Sequence, residues 1–299
     1  MHTRTLRANI LLLLTAAIWG SGFVAQRSGM DYVGPMTFNA FRFALGALSL
    51  VPLVIWHHQR GVAAISPGVS RRFALLGPCI AGAALFGGVS LQQIGLMYTT
   101  AAKAGFITGL YVVIVPFIGL ILRQRPGVGG FVGTFFAAIG LYLLSVTKDF
   151  TLAPGDAFVI AGAVIWACHV HVLSWLSPKL DGVRLAFGQF SVVSLLCFVC
   201  AFLFEDITVA SLSAGWLPIV YGGIMPVGVA FTLQVIAQKD APATHAAIIL
   251  SMEALFAAIG GWLILDETLT PRGMVGCALM LTGMLAAQLW PDKKAAATA

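Results

Sequence analysis

Charged side chains are scarce in this sequence. Asp, Glu, Lys and Arg make up 9% of it, against roughly 25% in soluble domains, and that deficit excludes a soluble globular fold. Polar stretches are short as well: the widest gap between apolar runs is residues 57–72, too little for a substantial soluble domain. No glycine-rich phosphate loop or other nucleotide motif occurs, which excludes primary active transport by this chain alone. The five cysteines, Cys79, Cys168, Cys197, Cys200 and Cys277, all fall within apolar runs. The "CFVC" at 197–200 lacks the soluble fold that a redox motif requires, so the cysteines read as packing residues. His169 and His171 in "CHVH" point about 200° apart on a helix and cannot share one ion. Cys168 with His171 supplies only two ligands, a weak set. No metal and no cofactor is expected.

What the chain has in abundance is hydrocarbon, with 59% apolar residues and a mean hydropathy of +0.95. A bilayer core needs roughly 20 apolar residues per helix. Ten runs approach that length, at about 9–26, 35–56, 73–97, 101–122, 127–147, 157–176, 185–204, 214–238, 241–264 and 273–290. They are continuous rather than alternating, which favours helices over barrel strands. The expected fold is an all-α integral membrane protein of ten transmembrane helices. The basic leader "MHTRTLR" and the run after it read as a retained signal-anchor helix, because nine further runs follow.

Basic residues set the orientation. With the N-terminus inside, the inner segments hold Arg4, Arg7, Arg60, Arg71, Arg72, Arg123, Arg125, Lys179, Arg184, Lys239, Lys293 and Lys294. The outer segments hold only Arg27, Lys103, Lys148 and Arg272. Both termini are therefore expected in the cytoplasm. Topology accounts for the net charge of +6, and no nucleic-acid partner is implied.

The chain also repeats itself. "LQQIGLMYTTAAKA" at 91–104 returns as "LQVIAQKDAPATHA" at 233–246, and "AAIWGS" at 16–21 resembles "AVIWAC" at 163–168. Gly130, Gly133 and Gly140 fall on Gly273, Gly276 and Gly283 at a constant offset. The expected organisation is five helices in 1–150 and five in 151–299. Because five is odd, the second set enters the membrane from the opposite side, an inverted repeat of the kind used for alternating access.

Three stretches carry a family resemblance: "AAIWGSGF" (16–23), "FNAFRFALGAL" (38–48) and "LSMEALFAAIGGWLILDETLTPRGMVGCALMLTGMLAA" (250–287), the last with Glu267, Gly276 and Gly283. The chain resembles the EamA-type members of the drug/metabolite transporter superfamily over nearly its whole length, and among them most the YddG-type aromatic amino-acid exporters. That resemblance implies a multi-pass exporter of small metabolites in the bacterial cytoplasmic (inner) membrane. At Ala254 the sequence departs from the family, which usually carries proline there, so the resemblance does not imply a kink in the ninth helix.

Candidate site residues follow from charge and symmetry. A charge at bilayer depth costs about 2.5–3.5 kcal/mol on insertion scales and normally faces a cavity or a partner. Glu253 lies midway along the ninth run, and the repeat sets it on Tyr111. With its neighbour Met252 and the symmetry-related indoles Trp19 and Trp166, it forms the candidate substrate site, where flat rings can stack. Glu253 also suits a proton-coupling role. Arg42 reads as a structural intramembrane charge that snorkels or anchors a carbonyl. The repeated phrases read as hairpin tips that act as gates: Gln92, Tyr98 and Lys103 outside, Gln234 and His245 inside. Pro116 and Pro226 are expected bending points. Glycines in the fifth and tenth runs suit close helix contact and a homo-oligomer. The expected function is export of neutral or aromatic amino acids through the bilayer, with multidrug or organic-cation efflux as the competing reading. An intramembrane enzyme or scaffold is disfavoured because no catalytic set clusters.

Overall fold

The computed structural model describes residues 2–124, 127–146, 153–264 and 270–290, and its regular structure there is helical apart from one isolated bridge. Arg125, Lys148, Glu267, Lys293 and Lys294 lie outside the described residues. The helices are α1 (His2–Gly29), α2 (Pro35–Gln59), α3 (Arg71–Gly95), α4 in two pieces (Ala101–Gly109 and Tyr111–Ile121), α5 (Val128–Ser145), α6 (Pro154–Leu176) and α7 (Gly182–Phe204). A short helix, Val209–Ala214, leads into α8, which is built from Trp216–Gly222, a π-helical stretch Gly223–Phe231, and Thr232–Ala237. Then come α9, as Ala243–Leu250 and Glu253–Ile264, and α10 (Pro271–Leu289). Among the described residues, eight spans, from α1 through α8, are long and apolar enough to cross a membrane, and Ala243–Ile259 and Pro271–Ala287 are further apolar helical stretches. Side chains such as Ile121, Phe204 and Val209 are 80% or more exposed. Such a surface suits hydrocarbon rather than water.

Local chemistry starts the helices. Ser70, Thr100 and Thr270 cap α3, α4 and α10 by accepting the backbone N–H three residues on, and prolines at the first position of α2, α6 and α10 have no amide to leave unpaired. The N-terminus of α2 takes its cap from far away. Glu205, just past α7, accepts from Met36 N at 2.8 Å, Thr37 N at 2.8 Å and Thr37 Oγ1 at 2.7 Å. At the other end of the same pair, Asp181 accepts from Arg184 N at 3.1 Å and meets His57 Nδ1 at 3.1 Å. The strands of loop beside it join as well, through Ser66 N to Lys179 O and Asp181 N to Ala64 O. Helices α2 and α7 are thus tied together at both ends.

The main helix contacts join the first half of the chain to the second: α5 along α10, α2 along α7, α3 along α6 and α1 along α8. Glycine permits the first of these. A Cβ on Gly140 would sit 2.5 Å from Gly276 O and 2.7 Å from Met280 Cγ, and one on Gly133 would sit 2.7 Å from Gly283 O. The two helices therefore approach backbone to backbone, and their glycine faces are occupied within the chain. Replacing Gly140 with valine is expected to destabilise the protein by at least about 1–3 kcal/mol through overpacking, read as a lowered midpoint in detergent thermal unfolding. Gly119→Ala, whose new Cβ meets nothing closer than His171 Cε1 at 3.5 Å, should not lower that midpoint and should raise it slightly, because alanine is the better helix former.

Candidate functional site

Three helices lose regularity along their length. α4 breaks at Leu110, directly before Tyr111, and α9 breaks at Ser251 and Met252, directly before Glu253. The two breaks fall at one offset of the repeat. Neither uses proline: Pro116 sits inside the second piece of α4, and Ala254 leaves α9 without one. At Ser251 the hydroxyl donates to Ile248 O at 2.8 Å, a back-bond that bends helices. Pro226 does act on its helix, but as a wide π turn rather than a kink. Two carbonyls of that turn are met by side chains of α1, with Trp19 Nε1 donating to Pro226 O at 3.2 Å and Thr15 Oγ1 to Ala230 O at 3.1 Å.

The breaks surround one cavity. It is lined by Trp19, Phe23 and Gln26 of α1, Arg42 of α2, Val89 and Gln92 of α3, Thr108 and Tyr111 of α4, Trp166 and Val170 of α6, Pro226, Phe231 and Gln234 of α8, and Leu250 and Glu253 of α9. Its volume is about 40 Å³, on a scale where one water needs roughly 10–15 Å³. Three aromatic rings crowd it: Trp166 stacks on Phe231 at 5.7 Å and 10°, with Trp19 4.6 Å from Phe231 and 6.2 Å from Trp166.

Its polar groups are short of partners. Glu253 is 3% exposed and Arg42 2%. Among the described residues, Glu253 Oε1, Tyr111 Oη, Trp166 Nε1, Gln26 Oε1 and Gln234 Oε1 are buried without a well-formed hydrogen bond, and Tyr111 Oη is the neighbour that the Glu253 carboxyl faces. Arg42 donates from Nε to Asn39 Oδ1 at 2.9 Å and lies over the Phe38 and Phe43 rings at 5.3 and 5.2 Å. No carboxylate lies within ion-pair distance of it among the described residues.

The other sequence-derived candidates are distributed differently. Trp19, Trp166, Tyr111 and Glu253 converge on the cavity. Met252 is fully buried in a cluster with Ala16, Phe23 and Leu255 and does not line it. Gln92 and Gln234 sit in the cavity wall rather than at hairpin tips, and Gln92 Nε2 donates to Thr108 Oγ1 at 3.0 Å. Tyr98 and Lys103 are at a tip. There Lys103 Nζ pairs with Asp156 Oδ2 at 3.0 Å, Thr99 Oγ1 donates to Asp156 Oδ1 at 2.5 Å, and Asp156 also accepts from Ala153 N. A Cβ on Gly95 would come 2.9 Å from Gly155 O, so α3 and α6 meet backbone to backbone beneath this ion pair. His245 is half-buried near the start of α9. His169 and His171 take separate partners, Gln189 Oε1 at 3.1 Å and Val115 O at 2.8 Å. Sequence reasoning did not assign Gln26, Thr108 or Phe231 to the site, although the offset that sets Tyr111 on Glu253 also sets Thr108 on Leu250 and Val89 on Phe231, all of them in the wall. Arg42, the expected structural charge, is buried, bonds Asn39 and also lines the cavity.

This chain belongs to the EamA-like transporter family, whose description matches it twice, over residues 6–146 and 153–287. It is a multi-pass membrane protein of transporter rather than enzyme kinship. It is 30% identical to an uncharacterized transporter of Archaeoglobus fulgidus over 96% of this chain and 87% of that one. It is 26% identical to the threonine/homoserine exporter RhtA of Escherichia coli K12, covering 95% of this chain and 92% of the other. A solved crystal structure superposes with a TM-score of 0.76 at 20% identity, over 95% of this chain and 96% of its own. That likeness concerns the fold.

The tip chemistry is open to direct measurement. Lys103→Met should remove a charge-assisted contact of about 1.5–3 kcal/mol, so amide exchange over residues 96–103 should accelerate by roughly tenfold or more. Exchange along 182–204, tied separately to α2, should stay as it was.

Proposed function

We propose that the chain is a secondary transporter that exports small metabolites, chiefly neutral and aromatic amino acids, across the bacterial inner membrane by alternating access. Ten membrane helices would form two inverted five-helix units, 1–150 and 151–299, with both termini cytoplasmic. The single observation that carries this reading is the cavity itself. Trp19, Arg42 and Tyr111 come from the first unit and Trp166, Gln234 and Glu253 from the second, all around helix breaks at equivalent repeat positions. Interrupted helices meeting at the interface of two repeats are how transporters build a midplane site.

The division into two units is supported by the double family match. Amino-acid export is supported by the resemblance to a threonine/homoserine exporter over almost the full length. The aromatic walls favour substrates with flat or apolar side chains. The Lys103–Asp156 pair fits an outer gate in its closed arrangement, with the 239–242 tip as its inner counterpart. Organic-cation efflux has one observation in its favour, the Glu253 carboxyl with no basic side chain in ion-pair distance among the described residues, and one against it, the guanidinium of Arg42 in the same wall. Any homo-oligomer through α5 and α10 would have to use faces other than the glycine contact they share.

Counterflow in proteoliposomes tests the reading with a panel of neutral amino acids and organic cations. Neutral amino acids should exchange; movement of cations alone would overturn amino-acid export. Trp166→Ala should lower transport of aromatic amino acids by about three- to tenfold beyond any loss for aliphatic ones. An equal loss for both classes, at normal expression, would remove the stacking role.

A further inference from the structure

We infer that Arg42 and Glu253 are the two charged poles of a site for zwitterions, Arg42 taking a carboxylate and Glu253 an ammonium group. The inference rests on the transport reading above and adds to it the chemistry that selects the substrate. Arg42 and Glu253 are buried, line the same cavity and have no oppositely charged side chain within 4.0 Å among the described residues. A buried charge is costly unless it is paired and hydrogen-bonded, and here two ionisable groups of opposite sign open on one small space. A single ligand with both charges satisfies both poles and keeps the site neutral.

The orphaned groups agree in kind. An ammonium group has three N–H donors, and the cavity offers the unpartnered acceptors Glu253 Oε1, Gln26 Oε1 and Gln234 Oε1. A carboxylate only accepts, and the cavity offers Arg42, whose terminal nitrogens make no hydrogen bond among the described residues, and the unpartnered Trp166 Nε1. An amine without a carboxylate leaves Arg42 unpaired and adds a second positive charge beside it. An acid without an amine does the same to Glu253. The cavity as it stands has room for about three waters, so entry of an amino acid requires the rings of Trp19, Trp166 and Phe231 to separate.

The test uses the full chain in proteoliposomes with two sets of probes: phenylalanine, phenethylamine and 3-phenylpropanoate, and leucine, isopentylamine and 4-methylpentanoate. In the native protein the amino acid of each set should exchange roughly tenfold or more faster than its amine or acid, as expected for loss of a charged contact. Arg42→Gln should cut amino-acid exchange to a similar extent and shift preference toward the amine. Glu253→Gln should shift it toward the acid. Arg42→Lys should retain the native order of preference while lowering the rate, which separates charge from fold. If the native protein moves the amines as fast as the amino acids, the zwitterion assignment is wrong while transport stands. If both neutralised variants are monodisperse yet lose all three classes equally, the two side chains are not the poles. If none of the six probes moves in the native protein, the amino-acid reading itself falls, and the assignment with it.

Discussion

A helix that loses its hydrogen-bond ladder inside a bilayer must find other partners for the freed carbonyls and amides, because hydrocarbon supplies none. That constraint organises this protein. α4 and α9 break, and α8 widens into a π turn, only where other helices wrap them. Trp19 and Thr15 meet the carbonyls of Pro226 and Ala230, and Ser251 meets Ile248. Irregular backbone and polar side chains therefore concentrate in one place, and that place is the cavity. The local irregularity and the candidate site are two consequences of the same requirement.

Around the cavity the helices are held with unequal firmness. α2 and α7 are fastened at one end by three hydrogen bonds to Glu205 and at the other by Asp181. α5 and α10 meet through glycine with backbones in contact, an arrangement that leaves little slack for sliding. The remaining helices contribute most of the cavity wall, and the tip joining α3 to α4 is held to α6 by hydrogen bonds and an ion pair around Asp156 above a backbone contact of Gly95 with Gly155. Water reaches this cluster from the Lys103 side, while Asp156 itself is buried. On the proposed alternating-access reading, the division of labour follows: a bolted frame of four helices, and a set of six whose outer connection includes an ion pair that water reaches from one side.

Helix existence was legible because the bilayer demands long apolar runs, and the chain has them. The predicted span 35–56 corresponds to Pro35–Gln59, and 185–204 to Gly182–Phe204. The breaks were not legible in the same way. Hydropathy averages over a window and cannot register an interruption of one or two residues, such as Leu110 or Ser251–Met252. Proline was the natural place to look, yet Pro116 lies within a continuous segment while Leu110 ends one. Pairing Glu253 with Tyr111 through the repeat succeeded in finding two residues of one cavity because an internal repeat carries three-dimensional equivalence in a linear string.

By itself, then, the sequence determined that the chain lives in lipid, that its helices are long and apolar, and that its two halves are written in related phrases, since solvent and periodicity act on residues through their type and spacing alone. The tertiary structure decided which way side chains face. Arg42 meets Asn39, Phe38 and Phe43 on its own helix, and whether that arrangement faces lipid or a cavity depends on the walls that α1, α3, α4, α6, α8 and α9 bring around it. Whether Gln92 and Gln234 mark tips or walls depends on where α3 and α8 cross the other helices. Such facts depend on contacts between residues far apart in the chain, which local patterns do not encode.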